Sequence, residues 1–226
     1  MQTREIQGKS LQYLLVEPDG YNPDKQYPIV ILMHGFGAHM GDLAGLCPAI
    51  SRTGYVYVCP NAPMAIQLDV GMSGYAWTPP GDAQTKEDLE KASEAVEVLV
   101  NEITDNLNVS PREMILGGFS QGGMMTYSVG LANPELFCGL VVLSGMISEN
   151  EVLTDILPSG TSPELFIAHG EKDSIVSIDR ARNAKTFLEK EGYSPQYHEY
   201  DMAHEITQEL IDDLVPWVKS VLPPAD

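Results

Sequence analysis

Gly118-Phe119-Ser120-Gln121-Gly122 sets a serine between glycines two residues to either side. A serine hydroxyl attacks a carbonyl only when a base takes its proton. The sharp strand-to-helix turn that exposes such a serine leaves no room for side chains at those two flanking positions. The surroundings suit that turn: an apolar run, Met114 to Phe119, leads in, and a helical pattern from Gln121 to Asn133 leads out. The chemistry this implies is acyl transfer, with a histidine base and an orienting carboxylate.

Where such a turn carries the nucleophile, the chain order is serine, acid, histidine. Three histidines follow Ser120. His198 lies within the alternating run Tyr197–Tyr200 and reads as a strand residue, while His169 ends a strand before Gly170. His204 falls on the turn between the last strand and the last helix and is the candidate base. The candidate acid is Asp173, in His169-Gly170-Glu171-Lys172-Asp173, at the carboxyl end of a buried strand where sites of open α/β sheets form. Glu171 and Asp201 rank behind it. A developing oxyanion needs two backbone N–H donors. Gln121, next after the nucleophile, supplies one, and Phe36 in His34-Gly35-Phe36-Gly37 is expected to supply the other. As a phosphate cradle that stretch lacks its third glycine, since Met40 stands there.

These side chains need a frame. Short apolar runs at Pro28–Met33, Tyr55–Cys59, Met114–Phe119, Leu140–Leu143 and Leu165–Ala168 read as buried strands. Tyr197–Tyr200 is a further strand, and Leu11–Val16 an early antiparallel one. Helices are expected over Asp42–Arg52, Glu87–Leu107, Gln121–Asn133, Ile178–Glu191 and Glu205–Val221, with Thr85 capping the second and Pro216 kinking or interrupting the last. The alternation predicts an α/β class chain, a mostly parallel central sheet flanked by helices, as one domain over 1–226. Pro60 to Ala83 breaks the rhythm. It is rich in Gly, Pro and Met, holds Tyr75 and Trp77, and reads as a packed, substrate-lining loop.

The chain of 226 residues carries a net charge of −19. That acidity disfavours nucleic acid and anionic membranes as partners. Neither an apolar secretory leader nor an apolar run long enough for stable membrane insertion is present, so a cytoplasmic location is expected. Cys47, Cys59 and Cys138 fit neither a disulfide framework nor a zinc pattern, and read as buried free thiols. No metal or cofactor is expected, and monomer and homodimer both remain open.

The chain resembles the serine carboxylesterase and acyl-protein thioesterase branch of the α/β-hydrolases. The resemblance rests on HGFG (34–37), Asp42, PNAP (60–63), Trp77, GGFSQGG (117–123), LSG (143–145), HGEKD with Val176 (169–176) and His204, in that order. It implies the α/β-hydrolase fold and a cofactor-free acyl-enzyme mechanism on esters or thioesters. Ala38-His39-Met40-Gly41 separates HGFG from Asp42, and TPPGD follows Trp77. These departures favour a carboxylesterase, with acyl-protein thioesterase or lysophospholipase next and an inactive hydrolase-fold binding protein as the reading from another class.

The basic residues bear on the substrate. Arg52 alone lies between Gln26 and Thr85, and none lies between Glu113 and Glu171. A pocket without cationic anchors is expected, holding a neutral, short- to medium-chain ester against Phe36, Met72, Trp77, Met146 and Val176. Only Ile147 to Pro158 stands where a lid could insert, so no large lid domain is expected.

Overall fold

The computed structural model describes residues 1–69, 71–148 and 162–225. Its central sheet has eight strands: β1 (Gln2–Gln7), β2 (Gln12–Glu17), β3 (Ile29–Met33), β4 (Val56–Pro60), β7 (Met114–Phe119), β8 (Gly139–Leu143), β9 (Glu164–Gly170) and β10 (Gln196–Tyr200). In space they run β1-β2-β4-β3-β7-β8-β9-β10. β1 and β2 are antiparallel to each other, β2 is antiparallel to β4, and every pairing from β4 through β10 is parallel. From β3 the chain steps to one side to make β4, then crosses back to make β7 on the other side. The carboxyl ends of β3 and β7 therefore flank a topological switch point, where ligands of open α/β sheets bind.

Helices cover both faces. Inward residues of alternate strand positions split into two cores, as a period of two requires. Ile29, Ile31, Met33, Val58, Leu116 and Val142 pack with α3 (Lys86–Leu107), α4 (Gln121–Ala132) and α5 (Ile178–Lys190). Val30, Leu32, Tyr57, Ile115, Val141 and Phe166 pack with α1 (Gly41–Ala44), α2 (Cys47–Ile50) and α6 (Gln208–Val221). The mostly parallel, helix-flanked sheet is the one expected. No lid domain stands over it among the described residues; of the stretch from Ile147 to Pro158, the part from 149 onward lies outside them.

Several elements differ from expectation for physical reasons. The stretch Asp42–Arg52 makes two four-residue helices instead of one. Pro48 lacks the N–H that a continuous helix would use there. α6 starts at Gln208, capped by Thr207, and runs through Pro216 without interruption. Inside Pro60–Ala83, β5 (Met64–Asp69) and β6 (Met72–Ala76) form an antiparallel hairpin. β1 and β5 are almost wholly exposed, so neither carries the alternation that betrays a half-buried strand. α3 matches its reading: Thr85 and Asp88 form a capping box, and Leu89, Ala92, Val96, Leu99, Val100 and Ile103 are buried. Cys47, Cys59 and Cys138 are free and buried.

Candidate active site

Ser120 stands between β7 and α4 with φ 55° and ψ −116°, a strained conformation for a side chain to accept. The elbow closes because its glycines have no Cβ. A Cβ on Gly118 would lie 2.3 Å from the Gly122 carbonyl, and one on Gly122 would lie 2.0 Å from the Met33 carbonyl oxygen. The backbone of β3 thus packs directly on the start of α4, bringing the loop after β3 beside the serine.

Two hydrogen bonds join three side chains from distant parts of the chain. His204 Nε2 is 2.8 Å from Ser120 Oγ, and His204 Nδ1 is 2.6 Å from Asp173 Oδ2. Asp173 lies just past β9, and its other oxygen accepts the N–H groups of Ile175 and Val176 at 2.9 and 2.8 Å. Burial pushes the Asp173 carboxyl up, but the His204 hydrogen bond and these two N–H groups outweigh it and hold the pKa below the ordinary 3.8. With Asp173 ionised, Nδ1 of His204 carries a proton and Nε2 is left to accept from Ser120. The ring of Phe119 lies 4.8 Å from that of His204, centre to centre, and limits how the imidazole turns.

Phe36 and Gln121 flank the serine. A Cβ on Gly35 would lie 3.3 Å from Ser120 Cβ, which shows how closely the segment after β3 approaches the elbow. Neither the Phe36 N–H nor the Gln121 N–H donates to an acceptor among the described residues. Two backbone donors beside a serine suit a developing oxyanion.

Next to Ser120 opens a cavity of about 430 Å³, lined by Phe36, Thr78, Pro79, Gln121, Met124, Met146, Ile147, Val176 and Arg180 among others. Phe36, Met146 and Val176 are thus where the sequence places them. Met72 and Trp77 are not. Met72 is 61% exposed on the hairpin and lines no part of the cavity, because β6 turns its first residues outward. Trp77 is 1% exposed, and its indole N–H donates to the His34 carbonyl at 2.9 Å, so it packs behind the cavity wall. The cavity also has a cation. Arg180, on the first turn of α5, lies on its rim, so the expectation of a pocket without cationic anchors is corrected. Arg180 stands four residues beyond Val176, outside the segments around Ser120 that hold no base.

His169 lies at the end of β9, as expected. It is fully buried, with Nε2 2.8 Å from the Val176 carbonyl and 3.3 Å from Asp173 Oδ2. His198 is a strand residue, its ring between those of Phe166 and Tyr200. The long segment contributes Thr78, Pro79, Pro80 and Gly81 to the cavity, and only that part of it lines the site. Among the described residues no helix is long and apolar enough to cross a membrane.

The chain is similar to known proteins in both sequence and fold. Residues 21–222 match the model of the phospholipase/carboxylesterase family. Acyl-protein thioesterase 1 of Kluyveromyces lactis is 28% identical over 212 residues, covering 86% of this chain and 92% of the relative. The crystal structure of esterase PE8 superposes with a TM-score of 0.80 at 24% identity, covering 92% of this chain and 97% of that one. A carboxylesterase from Mesorhizobium loti also gives 0.80, at 17% identity, over 96% and 99%.

Proposed function

The chain belongs to the phospholipase/carboxylesterase family, within the esterase and thioesterase branch of the α/β-hydrolases, and on that premise we propose that Ser120 is its nucleophile. His204 is the base, Asp173 the orienting acid, and the N–H groups of Phe36 and Gln121 the oxyanion donors. The observation that carries this reading is the pair of hydrogen bonds, 2.8 and 2.6 Å, that links Ser120 through His204 to Asp173 at the cavity mouth.

The reaction follows from that arrangement. His204 Nε2 takes the Ser120 proton as Oγ bonds to the acyl carbon, and the carbonyl electrons pass to the oxygen held by the two N–H groups. As they return, the alcohol or thiol leaves with the proton from His204. Water then repeats the sequence on the acyl-enzyme and releases a carboxylic acid.

The substrate is an acyl thioester or carboxylic ester with an apolar acyl chain. Phe36, Met124, Met146, Ile147 and Val176 support the apolar chain, and the cavity volume suits a short to medium length. The similarity to acyl-protein thioesterases along most of the chain favours the thioester over the oxygen ester. The proposed substrate is a small molecule, and the reaction as written calls on neither cofactor nor nucleic acid.

The test is hydrolysis of acyl thioesters and p-nitrophenyl esters of graded length by the wild type and Ser120→Ala. A loss of at least about 10⁴-fold in the variant is expected. Equal rates would end the reading and leave a hydrolase-fold binding protein. Faster turnover of carboxylate-bearing than of neutral acyl groups would end the substrate assignment alone.

A further inference from the structure

The segment after β3, from His34 to Met40, is tied down by one neighbour. The Ala62 N–H donates to His34 Nε2 at 3.1 Å. Burial pushes the His34 imidazole below its ordinary pKa, so the ring is neutral and its Nδ1–H donates to the Gly35 carbonyl at 2.7 Å. Trp77 Nε1–H donates to the His34 carbonyl at 2.9 Å, and the Met40 N–H donates to Asn61 Oδ1 at 2.7 Å. Two backbone bonds complete the tie: the Gly37 N–H to the Tyr75 carbonyl, 2.8 Å, and the Tyr75 N–H to the Ala38 carbonyl, 2.9 Å. At Gly74 the two backbones touch so closely that a Cβ would lie 2.0 Å from the Gly37 oxygen.

The same segment is fastened to the elbow by one side chain. Gln121 Oε1 accepts the Trp77 N–H at 2.8 Å, and its Nε2 donates to the carbonyl and hydroxyl oxygens of Thr78 at 2.8 and 3.0 Å. Phe36 thus sits within a stretch held on both sides by Asn61, Ala62, Tyr75 and Trp77, and Gln121 holds Trp77 and Thr78. The two N–H donors belong to different strands' loops, which meet directly at Gly35 and Gly122, and this segment is a second link between them.

We propose that Asn61, Ala62, Tyr75, Trp77 and Thr78 form a brace that fixes the spacing of the Phe36 and Gln121 N–H groups, and that the Gln121 side chain is the positioning residue that locks it. The inference rests on the acyl-hydrolase reading above. An oxyanion exists only in the transition state and the tetrahedral intermediate, so loss of register weakens those states and leaves substrate binding alone. Misplacement by about 1 Å costs on the order of 10²-fold in rate.

Gln121→Met keeps the backbone N–H and the side-chain length but makes none of the three hydrogen bonds. On a neutral acyl thioester, kcat is expected to fall about 10- to 100-fold with KM within about twofold. A trifluoromethyl ketone tests the same hole without turnover. Ser120 Oγ bonds to its carbonyl carbon, the serine proton moves to His204, and the new oxyanion occupies the hole. Its affinity should weaken by the same factor as kcat/KM. Trp77→Phe keeps the aromatic body and loses only the bond to His34, and should show the same split at about 3- to 10-fold. Combined, the two changes should cost less than the product of their separate effects.

A raised KM with unchanged kcat in Gln121→Met would overturn the proposal, because the side chain would then be binding substrate. Unchanged kcat and ketone affinity would overturn it equally. Should Gln121→Met not fold, unaltered kinetics in Trp77→Phe decide against the brace. A wild type that neither hydrolyses any ester nor takes the ketone overturns the acyl-hydrolase reading itself.

Discussion

His169 Nε2 stands 3.3 Å from the same Asp173 oxygen that accepts from His204, so the carboxylate lies between two imidazoles. That nitrogen's shorter contact, 2.8 Å, is with the Val176 carbonyl, so its proton faces both. One buried ring closes the acid's loop onto itself. His169→Ala should leave the Val176 carbonyl without its partner and destabilise the fold by about 1–3 kcal/mol. Urea unfolding gives the stability, and kcat should fall along with it. A variant as stable and as active as the wild type would show that the loop holds its shape without this ring.

Asp173 predicts a specific acid dependence. Its folded pKa lies below the unfolded one, so its ionisation adds stability above about pH 3.8 and loses that contribution as pH falls through the folded value. Asp173→Asn has no such ionisation. The stability difference between the two proteins should be level from pH 6 to about 4 and narrow below that. At neutral pH, kcat of the variant should fall by about 10⁴-fold, because Asn can donate to His204 and select the wrong tautomer. A difference that widens toward acid would contradict the assigned hydrogen bonds.

Gly122→Ala tests the elbow. The new Cβ would overlap the Met33 carbonyl oxygen at 2.0 Å, a backbone atom that moves only if β3 or α4 moves. The cost should exceed about 1 kcal/mol, read as a lower midpoint in urea, with activity lost to a greater degree than stability. An unchanged midpoint would mean that the strand and helix are further apart than described.

Met146 should set acyl length. It lines the cavity and is half-buried there. Met146→Trp should move the optimum of kcat/KM to shorter chains, and Met146→Ala to longer ones, with one methylene worth about 0.8 kcal/mol of binding. Two profiles that superpose on the wild type would remove Met146 from the acyl wall.

The core strands, α3 and the sites of Ser120, Asp173 and His204 were legible because each rests on local rules. Ile29–Met33 and Leu140–Leu143 are apolar throughout, as buried parallel strands must be. The GFSQG spacing follows from a turn with no space for Cβ atoms. What stayed hidden depends on contacts across the fold. β5 has no buried face to imprint a period, and Trp77 looks like a pocket residue until its N–H finds the His34 carbonyl. Arg180 escaped for a similar reason. In sequence it belongs to a solvated helix, and only the position of the α5 N-terminus brings it to the cavity rim.

The order of the strands has a kinetic consequence. Ser120 and His204 are 84 positions apart, and Asp173 and His204 are 31 apart, yet all three meet at one end of the sheet. His204 follows β10, an edge strand whose pairing in the sheet is with β9. Refolding chains should therefore regain helical signal and tryptophan burial before they regain turnover. Catalysis, in this topology, is a clock for the last contact to close.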